Sequence, residues 1–127
     1  MQQGYIKARI YTSQAQIPIE GAAFSVYKDE DGNSRLLGTR ISDLEGETSV
    51  IAVNAPDKSL SESQGNDTPF ATVDVRIDHP LYRTVYVKDA QIFAGEVSIQ
   101  EVSLHPLDRN VPSDSRAERF DVPKQNL

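Results

Sequence analysis

The stretch Pro18-Ile19-Glu20-Gly21-Ala22-Ala23-Phe24-Ser25-Val26-Tyr27 decides the fold. Pro18 and Gly21 punctuate a turn. Ala22, Phe24 and Val26 then recur with period two, which puts them on one face of an extended strand. A second piece answers it: Ser42-Asp43-Leu44-Glu45-Gly46-Glu47, a Gly-closed turn ahead of another strand-like run. Turn, half-buried strand, acidic hairpin and second turn together read as a scaffold or binding module rather than an active site.

Working outward, residues 4–12 read as a strand with Ile6, Ala8 and Ile10 on one face and Tyr5, Lys7, Arg9 and Tyr11 on the other. Residues 22–28 form the second strand. Asp29-Glu30-Asp31-Gly32-Asn33 is its hairpin loop, because Asp-Gly supplies the left-handed positions of a tight turn. Residues 34–42 make a weaker strand with Leu37, Thr39 and Ile41 on one side, and residues 47–55 a further strand whose run through Val50, Ile51 and Val53 shows no clear facing. Residues 56–69 are rich in Ser, Asp, Asn, Gly and Pro and read as a long loop.

Residues 70–78 alternate most cleanly, with Ala71, Val73, Val75 and Ile77 against Thr72, Asp74, Arg76 and Asp78. His79-Pro80-Leu81 turns the chain, residues 82–88 run back, and Asp89-Ala90-Gln91 is a break. In residues 96–104, Val97 and Ile99 share one phase and Val102 and Leu104 the other, which predicts a bulge near Gln100 and Glu101. No segment carries helical periodicity. The prediction is an all-β fold, a single seven- to eight-stranded antiparallel β-sandwich over residues 1–107. Residues 108–127 form an extended tail with as many acids as bases and few apolar anchors, expected to be disordered alone. Phe120, Val122 and Leu127 are its candidate partner-binding residues, docking as an extended segment.

The 127 residues suit one domain with a real core. The absence of cysteine excludes disulfides, zinc–thiolate sites and thiol nucleophiles. A net charge of -6 argues against nucleic acid, and no apolar run reaches the length of a membrane helix. Met1-Gln2-Gln3-Gly4-Tyr5 has neither the basic nor the apolar region of a Sec signal. A chain made in the cytoplasm and delivered to a particle or the cell wall by a non-Sec route is therefore expected.

The acidic loop at residues 29–33 lacks the Gly and Glu spacing of an EF-hand and reads as a solvated hairpin tip. Asp43, Glu45 and Glu47 would join it as a weak cation site only if the two turns met. His79 and His105 each precede a proline and are too few to hold zinc. No nucleophile elbow is present. The expectation is no enzyme, no catalytic residue, no metal and no cofactor. Tyr5, Tyr11, Tyr82 and Tyr86 form a candidate surface aromatic patch if their strands are neighbours, suited to sugar rings or a protein interface; cross-strand tyrosine packing is the plainer explanation.

With these turns placed, the chain resembles the carboxypeptidase-regulatory-like, or transthyretin-like, β-sandwich domains. The likeness rests on Pro18-Ile19-Glu20-Gly21-Ala22, on Phe24-Ser25-Val26-Tyr27, and on Asp43-Leu44-Glu45-Gly46-Glu47. It is also similar to the N-terminal domain of clostridial spore cortex-lytic proteins and related small proteins. That similarity runs through Asn66-Asp67-Thr68-Pro69-Phe70-Ala71-Thr72, His79-Pro80-Leu81-Tyr82, Ile92-Phe93-Ala94-Gly95 and Ser103-Leu104-His105-Pro106-Leu107. The family's hydrolytic chemistry lies in a later domain. The resemblance thus implies a non-catalytic module with protein partners in a larger assembly, in a phage-tail-like or spore-cortex context, with peptidoglycan or carbohydrate binding as the alternative.

Overall fold

The alternation read in the sequence closes into two sheets in the computed structural model, which describes residues 2–57, 69–107 and 117–120. Eight strands lie among the described residues: β1 (Gln2–Thr12), β2 (Ala23–Glu30), β3 (Asn33–Ile41), β4 (Ile51–Ala55), β5 (Ala71–His79), β6 (Tyr82–Ile92), β7 (Val97–Leu104) and β8 (Ala117–Phe120). One sheet has the order β4-β1-β7 and the other β3-β2-β5-β6-β8. The molecule is an all-β sandwich. Within the expected antiparallel plan, two pairings are parallel, β1 with β7 and β6 with β8.

The core lies between the sheets. Ile6, Ala8 and Ile10 of β1 face Phe24 and Val26 of β2, Val73, Val75 and Ile77 of β5, and Val85 of β6, all buried. Apart from Ala8, each such side chain contributes about 1.5–3 kcal/mol by leaving water. β4 alternates cleanly, burying Ile51, Val53 and Ala55 while Val50, ahead of the strand, stays exposed.

Three local expectations are corrected. β7 pairs with β1 in one unbroken register from Tyr5↔Val97 to Thr12↔Leu104, so no bulge falls at Gln100 and Glu101. Val97 and Ile99 simply lie on the outer face of an edge strand, where apolar side chains stay exposed. The bulge falls instead opposite β2, where the pairing jumps from Val26↔Gly38 to Tyr27↔Leu36. That extra residue turns Leu37 toward the core while Thr39 and Ile41 stay exposed, so the three do not share a side. The expected break at Asp89 is also a bulge: Asp89 takes φ 60°, and β6 continues past it to pair Ala90 with Val73.

The two stretches that opened the sequence reading are stitched together. Gly21 N–H donates to the Ser42 carbonyl at 3.0 Å and Ser42 N–H to the Ala22 carbonyl at 2.9 Å. The buried Ser42 hydroxyl accepts from Ala22 N–H at 2.9 Å and donates to the Ile19 carbonyl at 2.7 Å. Asp43 Oδ1 accepts from the N–H groups of Glu45 and Glu47. Gly46, at φ 77°, presses its backbone on β1, where Ile10 N–H donates to its carbonyl at 2.7 Å. A Cβ at Gly46 would collide with the Ile10 carbonyl oxygen.

Candidate functional site

β1 and β6 lie in different sheets, so the four tyrosines do not form one patch. Tyr5 and Tyr11 stand on the outer side of the three-stranded sheet, opposite the buried Ile6, Ala8 and Ile10. Tyr82 pairs with His79 beyond a register shift and packs against the core, its ring edge-on to the imidazole at 5.1 Å. Tyr86 alone of the four lies on the outer face of the five-stranded sheet, paired with Arg76.

Tyr86 has a different partner there. Strand alternation puts Tyr27 of β2 on the same outer face, because Phe24 and Val26 point inward. Between them β5 contributes Asp74, paired with Tyr27, and Arg76, paired with Tyr86. The result is a concavity of about 530 Å³ toward the hairpin end of the sheet, with Lys88 of β6 and Asp29 of β2 at its margin. Sequence reasoning placed Asp74, Arg76 and Tyr86 on their face, and it read Asp29 as part of a loop. It did not know that β2, β5 and β6 are adjacent, which long-range pairing alone decides.

The charges here are paired in place. Lys88 Nζ lies 3.3 Å from Asp74 Oδ2, and Asp89 N–H donates to Asp74 Oδ1 at 3.1 Å. The hydrogen bond to Asp74, reinforced by its charge, holds the Lys88 pKa above the ordinary lysine range. Arg76 Nε lies 2.8 Å from Asp78 Oδ2, and this close ion pair likewise raises the Arg76 pKa. The Arg76 guanidinium stands 5.9 Å from the Tyr86 ring centroid, within cation–π range.

The two acidic turns do not meet. β3 separates them, and its nine residues span roughly 30 Å at strand rise. Glu30 instead bonds Arg35 at 3.1 Å, and Glu47 bonds Lys7 at 2.9 Å. Those hydrogen bonds are the main reason both carboxyls sit below their usual pKa range. The His79 ring is taken up by backbone: Nδ1 accepts from Leu81 N–H at 3.1 Å and Nε2 lies 3.2 Å from the Glu20 carbonyl. His105 contributes its carbonyl, which accepts from Arg83 N–H. No group of three or more His, Cys, Asp or Glu side chains placed to hold a metal occurs among the described residues.

Of the candidate tail residues, Phe120 falls in β8, which adds in parallel to β6 from Thr84↔Ala117 to Val87↔Phe120. The edge it takes belongs to its own chain. Val122 and Leu127 lie outside the described residues, as does most of the loop expected at 56–69. No helix among the described residues is long and apolar enough to cross a membrane.

No protein-family model matches the chain, and no curated protein matches its sequence. Solved structures do. Catechol 1,2-dioxygenase of Acinetobacter radioresistens superposes with a TM-score of 0.55 at 16% identity, over 94% of this chain and 57% of that one. The TIE protein of Bacillus anthracis gives 0.53 at 12% identity, over 84% of this chain and 17% of that one. GBS52, the minor pilin of Streptococcus agalactiae, gives 0.52 at 10% identity, over 88% and 48%. At these identities the likeness is one of fold. This chain spans under two thirds of each of these proteins, and it shares its β-sandwich with an enzyme, a TIE protein and a pilin alike.

Proposed function

We propose that this chain is a non-catalytic interaction module: a β-sandwich subunit of a larger particle or of a cell-wall-directed machine, phage-tail-like or spore-cortex-lytic in context. The observation that carries this reading is the edge of β6, which takes an extended segment as an added strand. Such an edge binds through the main chain and tolerates many sequences, the ordinary logic of strand addition between proteins. β8 is short and parallel, the slightly weaker pairing. It is therefore suited to exchange, the chain's own segment giving way to a partner's, with Phe120, Val122 and Leu127 as anchors. The resemblance to cortex-lytic N-terminal domains supports the cell-wall context.

The engagement of both His79 ring nitrogens with backbone supports the non-catalytic reading. A second reading, peptidoglycan or carbohydrate binding, is favoured by the pairing of Tyr27 and Tyr86 across one concavity. A Phe120→Ala, Val122→Ala double variant tests the first reading. Loss of the variant from its native assembly, with folding intact by circular dichroism, is the expected result; entry at the wild-type level contradicts it. Co-sedimentation with purified peptidoglycan, unaffected by that variant, would mark the second reading.

A further inference from the structure

We infer that the concavity between Tyr27 and Tyr86 is a saccharide site, and that it takes uncharged sugar rings rather than acidic or sulfated ones. The inference rests on the carbohydrate-binding reading and gives it a place and a ligand class. It replaces the expected patch of Tyr5, Tyr11, Tyr82 and Tyr86 with a site on the outer face of β2, β5 and β6 that keeps Tyr86 alone of the four.

Three features carry it. The first is shape with aromatic walls. Tyr27 and Tyr86 stand on strands separated by β5, hence roughly 10 Å apart across the sheet. A space of about 530 Å³ lies over them, enough for one or two pyranose rings. A sugar presents apolar C–H faces and a polar rim, and a tyrosine answers both with a flat ring and a hydroxyl.

The second is the state of the charges. Lys88 is held by Asp74 and Arg76 by Asp78, at 3.3 and 2.8 Å. A phosphate, sulfate or carboxylate entering the site would have to compete with those carboxylates. The chain's net charge of -6 adds a general repulsion of anions. A hydroxyl faces no such competition. It donates to a carboxylate lone pair and accepts from an ammonium N–H while the ion pair stays together, and Asp29 adds a further acceptor at the margin.

The third is rigidity. Asp74 is held by Lys88 and by the Asp89 N–H at the bulge, and the Arg76 guanidinium stands within cation–π range of the Tyr86 ring. Prior ordering lowers the entropic cost of binding a weak ligand. The bulge at Asp89 thereby has a local consequence: its left-handed residue aims a backbone donor at the floor of the site. A peptide strand suits this place poorly, because the floor is mid-sheet, where the backbone groups of β5 already pair on both sides.

The test is a nuclear magnetic resonance titration of the full chain with chitotriose and cellotriose as neutral probes and a heparin tetrasaccharide as the charged one. Saturable shifts at the amides of Tyr27, Asp74, Arg76, Tyr86 and Lys88 are expected with at least one neutral probe. Tyr86→Ala and Tyr27→Ala should each weaken binding about tenfold. Tyr86→Phe should lose less, with melting temperatures close to wild type for all three. Neutral sugar that binds equally well to Tyr86→Ala, with shifts mapping to Tyr5 and Tyr11, overturns this site while leaving carbohydrate binding standing. Binding of neither neutral probe overturns both. Tighter binding of the heparin probe than of either neutral sugar overturns the ligand class.

Discussion

The two turns at the ends of β3 look alike in sequence and differ in what surrounds them. Asp29-Glu30-Asp31-Gly32-Asn33 and Ser42-Asp43-Leu44-Glu45-Gly46-Glu47 are both acidic and both use a glycine at positive φ. At Gly32 an added Cβ would meet nothing within 4 Å. At Gly46 it would strike the Ile10 carbonyl, and Ser42 beside it is buried and bonded on both sides. The first turn is a hairpin tip held by its own geometry and by the exposed Glu30–Arg35 pair beside it. The second is a joint between β1, the Pro18–Ala22 turn and β3. Composition does not distinguish a solvated tip from a packed joint; the groups on the far side do.

The largest test of that difference is Gly46→Ala. It forces a side chain into a left-handed residue and against backbone that cannot retreat without breaking the Ile10 N–H bond. A loss of about 3–5 kcal/mol is expected in urea melts, on a par with Phe24→Ala in the core. A loss below that of Gly32→Ala would erase the distinction.

Ser42→Ala comes next. It leaves the Ala22 N–H and the Ile19 carbonyl without a buried partner, for an expected loss of about 2–3 kcal/mol. Ser42→Thr, which keeps the hydroxyl, should recover part of this. Gly32→Ala should cost only about 1 kcal/mol, the conformational term of a left-handed residue in open space.

The smallest effect is electrostatic. Glu30 and Glu47 both have pKa values lowered in the fold, chiefly by hydrogen bonds from Arg35 and Lys7. A lowered folded pKa stabilises above the unfolded value, and that contribution is lost as pH falls through the folded one. Both carboxylates are solvated, so a shallow acid-side decline is expected in melts followed from neutral pH downward. Glu47→Gln and Glu30→Gln should each flatten it slightly. An acid-side slope unchanged in both variants would assign the decline to other groups.

The strands were legible because period-two alternation is a local property. Ala22, Phe24 and Val26, or Val73, Val75 and Ile77, announce a buried face without knowledge of the neighbours. The Asp31-Gly32 tip was legible for the same reason: a two-residue turn carries its own backbone chemistry. What stayed hidden was relational. Val97 and Ile99 suggested a bulge, because nothing in β7 says that it is an edge strand. Leu37 changes sides through a bulge made by pairing with β2. The Tyr27–Tyr86 concavity requires β5 between β2 and β6, and the separation of Tyr5 and Tyr11 from Tyr86 requires two sheets. The addition of β8 was unreadable as self-pairing, since an extended segment pairs with whatever edge is open.

Both proposed interactions lie on β6, at its edge through β8 and on its outer face through Tyr86 and Lys88. The central claim is that the β6 edge accepts an extended strand through its backbone. Amide hydrogen exchange at Thr84–Val87, compared between wild type and Arg119→Pro in the full chain, tests it most directly. Proline at position 119 removes a backbone donor from β8 and leaves the sequence of the other seven strands unaltered. The alternate amides of Thr84–Val87 that face β8 are expected to exchange about tenfold or more faster in the variant, while those that face β5, and the amides of β1 and β5, stay unchanged. Equal protection in the two proteins would contradict it.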